Sequence, residues 1–478
     1  LKNHIDTFIR LLESIGKPKP VTITPLPLSG SSQVYFRFVF DKGERLIGSY
    51  NPEIKENIAH DTFTGHFISL GLPVPGILAR SSSFEYFILE DAGDKTLLDI
   101  RTNEGLSEKV KQHYFQVVDD LVRFQTEGIK GLDLSKAFPT GRFDRRSVMW
   151  DLNYFKYYFV KTNDIIFDEN LLEDDFNLLA EHLLQAESEF FMYRDFQARN
   201  IMVNQNRLSY IDFQGGRKGP LQYDVISLLY QAKANLPDEF REELLETYLK
   251  KLEKTLPGQK EKFLKTYPLY IYFRLMQVLG AYGFRGLYQR KAHFLQSIPF
   301  AIENLKQVVK KYPVVDYPEL GSVIEQITKL TDYHFAPFSK DKLTVTLSSF
   351  SFKKSGIPVD ITENGGGHVF DCRALPNPGR IQELKEYTGL QDPVIKYLES
   401  KQEMTDFLHH VFSVVDQSVD NYLERRFSNL MVSFGCTGGK HRSVFSAENL
   451  KRHLMVKYGD SMEVRLTHVE LEKEGFLS

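Results

Sequence analysis

Cysteine and tryptophan are nearly missing from these 478 residues, which hold two of the first and one of the second. Cys372 and Cys436 are too few for a disulfide framework and lack the companions of a zinc site, so a reducing, cytoplasmic compartment is expected. Nowhere do eighteen apolar residues follow one another, and no membrane partner is expected. The opening stretch LKNHIDTFIRLLESIGKPKP reads as an amphipathic helix without the apolar segment of a signal peptide. An excess of one charge is missing too. Sixty Lys and Arg stand against 63 Asp and Glu, a formal net charge of -3, so any site for a polyanion has to be local. The sequence contains no G-x-x-x-x-G-K-[ST] loop, no internal repeat and no low-complexity tract.

What is present suits several packed cores: 42% of residues are hydrophobic and 26% charged, and at roughly 100–200 residues per domain the length calls for about two to four. Residues 1–94 alternate like strands (VTITPLPL, VYFRFVF, RLIGSY, EYFILE), interrupted by a helix over about 57–70. Residues 95–310 carry long helical patterns, such as KVKQHYFQVVDDLVRFQ and FNLLAEHLLQAESEF. In residues 311–340 periodicity weakens and three prolines occur, marking a linker. Residues 341–478 alternate strand and helix patterns as a small α/β domain does. The expected architecture is an α+β bilobal domain, a β-rich lobe before a helical one, followed by that small α/β domain.

Inside the helical stretch lies an island of different texture, MYRDFQARNIMVNQNRLSYIDFQGG, which reads as loop, short hairpin, loop. Asp195 and Asn200 enclose four residues, and Asp212 follows the hairpin. Phosphoryl transfer from a nucleoside triphosphate needs an acceptor hydroxyl held in line and cations on the phosphates. Asp195 suits the first task as catalytic base. Asn200 and Asp212 offer hard oxygen ligands for Mg2+. Each residue alone could simply cap or start a turn; the three together, behind a β-rich lobe, point to a kinase. Arg199 and Arg217 either touch substrate or are solvated surface.

YRDFQARNIMV and YIDFQGGRKGPLQYDVISLL resemble the aminoglycoside phosphotransferase and choline kinase superfamily, in particular its anomeric kinases of N-acetylmuramate and N-acetylglucosamine. PLSGSSQVYFRF, FILEDAGDKTLLD, FDRRSVMWDLNYF and LMQVLGAYGFRGLYQRKAHFLQSIP extend the likeness over about residues 20–305. The resemblance implies a protein-kinase-like fold with ATP and Mg2+ as cofactors. It implies Asp195 as base, Asn200 and Asp212 as metal ligands, and the Glu90–Asp91 backbone as adenine hinge. The loop over the phosphates would be Ser29, Gly30, Ser31, Ser32 and Gln33. The lysine such folds carry on the second or third strand is absent, RLIGSY offering Arg45 and Gly48, with Lys55 nearby. Tyr193 replaces a histidine and Gln214 a glycine.

The second distinctive motif is FGCTGGKHRS, between a strand pattern and a helix pattern. Backbone amides of a glycine-rich turn at a helix N-terminus converge on one place and favour an anion, and Arg442 can add a bidentate contact. A cysteine there, beside Lys440, His441 and Arg442, also has the setting of a phosphatase nucleophile, with Asp371 or Asp392 as general acid. SFSFKKSGIPVD, HVFDCRALPNPGR, EYTGLQDPVIKYL and VSFGCTGGKHRSV, over about residues 341–470, resemble the C-terminal domain of RapZ, the RNase adapter protein. That resemblance implies a non-catalytic pocket for a hexosamine phosphate, with Cys436, Thr437, Gly438, Gly439, His441, Arg442 and Ser443 around the phosphate. Asp371, Arg373 and Asn377 would line the sugar. Gly379 stands where that family has histidine. The basic residues Arg425, Arg426, Lys440, Arg442, Lys451, Arg452 and Lys457 read as a solvated helix face rather than an RNA-binding patch.

The sequence therefore leads to an ATP- and Mg2+-dependent small-molecule kinase, its acceptor an amino sugar, joined to a domain that binds a hexosamine phosphate. A regulatory adapter with a weak or inactive kinase-like domain is the alternative, and a cysteine-dependent phosphatase in the C-terminal domain a further one. Oligomeric state is not legible.

Overall fold

Period-two alternation in VYFRFV places Phe36 and Phe38 on one face of a strand and Tyr35 and Arg37 on the other. The computed structural model, which describes residues 2–26, 33–289, 291–330, 342–360, 362 and 366–476, shows what each face does. Helix α1 (Lys2–Ser14) lays Phe8 and Leu12 against Phe36, Phe38, Leu46 and Ile88. These belong to an antiparallel sheet of β1 (Thr22–Pro25), β2 (Val34–Val39), β3 (Arg45–Tyr50), β4 (Ile77–Arg80) and β5 (Tyr86–Glu90), with α2 (Ile54–Ser69) inserted after β3. The strand order is β1-β2-β3-β5-β4. Gly48 of β3 lies under this aromatic layer. A Cβ there would come within 2.6 Å of Phe38 and 2.9 Å of Phe8, so no side chain fits. Its neighbour Ser49, on the opposite face, is in register with Tyr35.

The helical part opens with β6 (Lys95–Thr96) and α3 (Leu97–Glu104), started by a capping box between Thr96 and Asp99. Then come α4 (Glu108–Thr126), α5 (Arg145–Phe155) and α6 (Glu169–Leu183), whose N-caps are Ser107, Asp144 and Asp168. The predicted hairpin island holds β7 (Phe190–Met192), β8 (Ile201–Asn204), β9 (Arg207–Tyr210) and β10 (Arg217–Gly219). β8 pairs with β9, and β10 pairs back onto β7. The remaining helices are α7 (Gln222–Leu229), α8 (Asp238–Thr255), α9 (Gln259–Tyr282), α10 (Ala292–Leu295), α11 (Ile298–Lys311) and α12 (Pro318–Thr328).

The position of α12 corrects the linker reading of residues 311–340. Leu320, Val323, Ile324 and Ile327 are buried, each worth about 1.5–3 kcal/mol of apolar transfer. The backbone N–H of Leu320 donates to Asp175 of α6 at 2.8 Å, and that of Ile166 donates to Gln326 at 3.1 Å. Residues 331–341 lie outside the described residues.

The last part is a four-stranded, all-parallel sheet of β11 (Leu343–Ser351), β12 (Gly367–Asp371), β13 (Asn429–Cys436) and β14 (Met462–His468), ordered β12-β13-β11-β14. Helices α13 (Asp392–Glu399), α14 (Gln402–Glu424), α15 (Arg442–Tyr458) and α16 (Val469–Lys473) connect and follow the strands. Val411, Val415 and Val419 recur every four residues along α14 and pack with Val432, Phe434, Leu450 and Leu454. By internal contacts the chain forms two compact units, Leu1–Phe284 with Ser297–Thr331, and Arg285–Gln296 with Asp332–Ser478. No helix among the described residues is long and apolar enough to cross a membrane.

Candidate functional site

β7 ends in a loop, residues 193–197, that the interior holds from below. The backbone N–H groups of Tyr193 and Arg194 donate to the two carboxylate oxygens of Asp224, at 2.6 and 3.0 Å. Asp224 is fully buried, and burial pushes its carboxyl up to about 7 against the pull of those two N–H groups. Arg194 sits at φ +82°, a left-handed conformation that costs a non-glycine residue about 1–2 kcal/mol. Its guanidinium, bound to both oxygens of Asp151 at 2.8 Å, helps to keep it there. Asp195 follows, half-buried.

Asn200 ties the pieces together. Its Nδ2 donates to the backbone oxygen of Asp195 at 2.8 Å and to Oδ2 of Asp212 at 2.9 Å. Asp212 is itself left-handed, at φ +70°. Phe213 anchors it, among His60, Phe67 and Tyr193 at ring separations of 5.5, 5.3 and 6.1 Å. Burial between these rings pushes the His60 imidazole down to about 4, so it is neutral near pH 7. The Asp212 carboxylate is open to solvent yet closely ringed by protein, as a group lining a cleft is. Desolvation first, then the charges of Asp195 and Glu56, push it upward, while Arg199 and Gln214 oppose.

Glu56, in the first turn of α2, is a site residue that the sequence reading missed. It receives Nδ2 of Asn51 at 3.1 Å and Nε2 of Gln214 at 3.2 Å, and the same Gln214 nitrogen reaches Asp212 Oδ1 at 3.0 Å. Neutral amides thus stand around Glu56, while Lys55 is exposed. Tyr35, close to Ser49, Asp212 and Glu56, fills the strand face opposite the Phe8 layer. The groove holds three carboxylates and an amide oxygen, Asn200 Oδ1, to which no described residue donates. Mutually repelling carboxylates with an uncommitted hard oxygen fit a divalent cation of the Mg2+ type, which relies on few protein ligands and on substrate phosphates. Among the described residues no three His, Cys, Asp or Glu side chains form a cage of their own.

The residues expected to bind nucleotide fare unevenly. Ser29, Gly30, Ser31 and Ser32 lie outside the described residues, and Gln33 accepts the Tyr35 hydroxyl. The Glu90 N–H donates to Gly76 O at 3.0 Å. Asp91 uses its carboxylate on Arg37 at 2.7 Å and Arg45 at 3.3 Å, and on the N–H of Gly93 at 2.9 Å. Of the expected hinge residues, Glu90 thus has its N–H engaged, whereas no backbone partner of Asp91 occurs among the described residues.

In the parallel sheet every predicted ligand residue lies at or just beyond the carboxyl end of a strand, the edge where such sheets place ligands. Asp371 ends β12, with Arg373 and Asn377 in the loop after it, and Cys436 ends β13, with Thr437–Ser443 after it. α15 begins at Arg442 with no side-chain cap from His441, leaving first-turn N–H groups for an anion. Gly439 sits at φ +73°, and a Cβ there would come within 2.2 Å of Glu470 and 3.1 Å of Ser351 N. Cys436 is buried, with its Sγ 3.2 Å from Ser443 Oγ and accepting the Gly439 N–H at 3.2 Å. Arg442 is 3% exposed, and its Nη1 donates to the carbonyls of Arg373 and Leu375 at 2.8 and 2.9 Å, which brings the loop after β12 to the glycine turn. That arginine is a latch as well as a ligand candidate.

Asp371 is bound by Arg373 through both oxygens, which holds its carboxyl below the usual range, the setting of a charged contact rather than of a general acid. Asn377 accepts the Gly379 N–H. A Cβ at Gly379 would lie 3.4 Å from Asn377 Oδ1 and from His441 Cε1, so these residues share one wall. Asp392, the other general-acid candidate, is exposed at the start of α13.

Comparison with known proteins adds independent findings. Residues 41–259 match the model of the phosphotransferase enzyme family, and residues 343–472 that of the RapZ C-terminal domain. The chain resembles two families in tandem. A nucleotide-binding protein of Glaesserella parasuis is 41% identical over 135 residues, 28% of this chain and 44% of that protein. One of Clostridium beijerinckii is 36% identical over 156 residues, 32% of this chain and 50% of that protein. The chain thus spans about half the length, or less, of these curated relatives. Among solved structures, amicoumacin kinase hAmiN in complex with AMP-PNP, Ca2+ and Ami covers 66% of this chain and 97% of its own, with 14% identity and a TM-score of 0.46. Choline kinase from Cryptosporidium parvum Iowa II covers 67% and 99%, with 14% identity and a TM-score of 0.44. The phosphotransferase-like unit is a kinase-like α+β fold, and the RapZ-like unit a separate parallel-sheet domain.

Proposed function

We propose that the phosphotransferase-like unit transfers the γ-phosphoryl group of ATP, with Mg2+, to a hydroxyl of an amino sugar, the anomeric hydroxyl being the acceptor its local sequence fits best. The observation that carries this reading is Asn200, whose Nδ2 spans Asp195 and Asp212. One amide thereby fixes the base relative to the cation ligand, and in-line transfer depends on that relation. Asp195 takes the acceptor proton, Asn200 and Asp212 hold the cation, and the cation neutralises charge on the phosphates. The RapZ-like unit binds a hexosamine phosphate at the turn Cys436–Ser443 and is not catalytic, since Cys436 is buried and already engaged with Ser443 and Gly439.

The test is ATP-dependent phosphorylation across a panel of hexosamines, with product position read by NMR. Asp195→Asn should lower the rate by about a thousandfold or more while nucleotide binding persists. A second reading, an adapter with an inactive kinase-like unit, draws on the amides that stand around Glu56 where kinases place a lysine. ATP binding without turnover on any sugar decides for it. Hydrolysis of p-nitrophenyl phosphate that vanishes in Cys436→Ser would instead make the second unit a phosphatase.

A further inference from the structure

The chain's two cysteines, far apart in sequence, are neighbours in the parallel sheet. β12 and β13 run side by side with Asp371 opposite Gly435, and the N–H of Cys372 donates to the carbonyl of Gly435 at 2.8 Å. One residue further along each strand, that register sets Cys372 beside Cys436. Residues in register point to the same face of a sheet, and both cysteines belong to one apolar core cluster. Both sulfurs also meet the start of α15. Cys372 Sγ donates to Ser446 Oγ at 3.8 Å, and Cys436 Sγ lies 3.2 Å from Ser443 Oγ. Paired strands lie about 4.8 Å apart, inside the Cα separation of about 4.4–6.8 Å that a disulfide spans.

The two thiols are not equivalent. Cys436 accepts the Gly439 N–H at 3.2 Å and so helps to shape the glycine turn proposed for the phosphate. It is closed to bulk solvent but borders that turn, the entry that a molecule as small as hydrogen peroxide would use. Cys372 lies deeper, fully buried, and burial pushes its thiol up to about 12, with the nearby Cys436 acting in the same direction. Cys372 therefore stays protonated until an activated sulfur is beside it.

We infer that Cys372 and Cys436 form a modification site, which hydrogen peroxide closes to a disulfide that opens the glycine turn and which a dithiol reductant restores. Cys436 loses its proton, and its sulfur attacks one peroxide oxygen. The O–O bond breaks, hydroxide leaves and takes up that proton as water, and Cys436 becomes a sulfenic acid. The Cys372 sulfur then attacks the Cys436 sulfur, the S–O bond breaks, and a second water leaves with the Cys372 proton. One peroxide is reduced to two waters, and two thiols are oxidised to one disulfide. The reductant reverses this by two exchanges and ends as a disulfide itself. Bonded to Cys372, the Cys436 sulfur turns away from Gly439 and Ser443, and the turn loses contacts that fix it. The disulfide stands on the sheet register alone, and its effect on a ligand rests on the hexosamine phosphate reading above.

The experiment treats the full chain with hydrogen peroxide, blocks remaining thiols with N-ethylmaleimide and reads the masses of the peptides that carry residues 372 and 436. The chain holds no other cysteine, so a disulfide within one chain can only be this one. In the wild type the two peptides should be joined, lighter by two hydrogen atoms and free of maleimide, and dithiothreitol should return both thiols. Cys372→Ala should leave Cys436 as a sulfenic acid, trapped by dimedone, or carry it on to sulfinic acid. Saturating glucosamine 6-phosphate should slow wild-type oxidation in proportion to the turns it fills. By calorimetry the oxidised wild type should bind that probe about tenfold or more weakly than the reduced protein, the scale of one lost hydrogen bond. Reduced Cys372→Ala should bind it as the reduced wild type does. Two free thiols after peroxide, a disulfide only between chains, or sulfinic acid formed equally in wild type and Cys372→Ala overturns the site. A disulfide that leaves affinity unchanged overturns the opening of the turn. If the probe binds neither form, the hexosamine phosphate reading fails, and the peptide masses alone decide the disulfide. Should Cys372→Ala melt early, Cys372→Ser carries the same comparison.

Discussion

Two loops of this chain, both phosphate sites on the proposed reading, have opposite electrostatics. The turn at Asp195, Asn200 and Asp212 collects carboxylates and an amide oxygen, so it can meet phosphate only through a cation. The turn at Cys436–Ser443 collects backbone N–H groups and a buried guanidinium, so it suits an anion without a bridging cation. The contrast follows from the task. A reacting phosphoryl group needs its charge neutralised by something that can also be released, whereas a retained ligand is held by fixed dipoles. One loop asks for positive charge and the other supplies it.

The comparison can be broken most sharply on the acidic side. Asp212→Asn should reduce phosphoryl transfer about a thousandfold and abolish Mg2+-dependent tightening of nucleotide binding, read by calorimetry with and without EDTA, while hexosamine phosphate binding stays unchanged. On the other side, Gly439→Ala should do the reverse. It forces a Cβ toward Glu470 and Ser351 at a left-handed position, so ligand affinity in the RapZ-like unit should fall about tenfold or more and that unit lose about 1–3 kcal/mol, with sugar kinase activity intact. A smaller effect is expected of Asp224→Asn. The amide cannot accept from both Tyr193 and Arg194 N–H, and misplacing the loop that carries Asp195 should cost about ten- to a hundredfold in kcat with little change in nucleotide affinity.

The mildest test concerns His60. Its imidazole is held neutral down to about pH 4, whereas an unfolded histidine protonates near 6.5. The unfolded state therefore binds more protons between those values, and stability contributed by the first unit should fall as pH drops from about 6.5 to 4. His60→Phe should flatten that slope in thermal melts. An unchanged slope in the variant would assign the acid sensitivity to other groups.

How far these loops were legible depends on sequence distance. Asp195, Asn200 and Asp212 lie within eighteen positions, and the glycine turn within eight, so local spacing exposed both. Glu56 meets Gln214 across 158 residues, and Arg194 meets Asp151 across 43. Such partners have no local signature. Asp224 stood in the quoted GPLQYD yet gained a role only through two N–H groups thirty residues earlier. Arg217 read as possible solvated surface because its strand is three residues long and pairs with a distant one. The signal for α12 was present and outweighed by its prolines. Leu320, Val323, Ile324 and Ile327 follow the i, i+3, i+4, i+7 pattern of a helix face, and Pro318 occupies the first helical position, where proline is welcome.

That docked helix bears on how the chain may be cut. A boundary drawn at Pro313, where composition invites it, would strip α12 from the first unit. Asp175 would be left without the Leu320 N–H and Tyr317 removed from His182. A fragment ending there should expose an apolar strip on α6 and aggregate. One that ends after Leu330 should keep the strip covered.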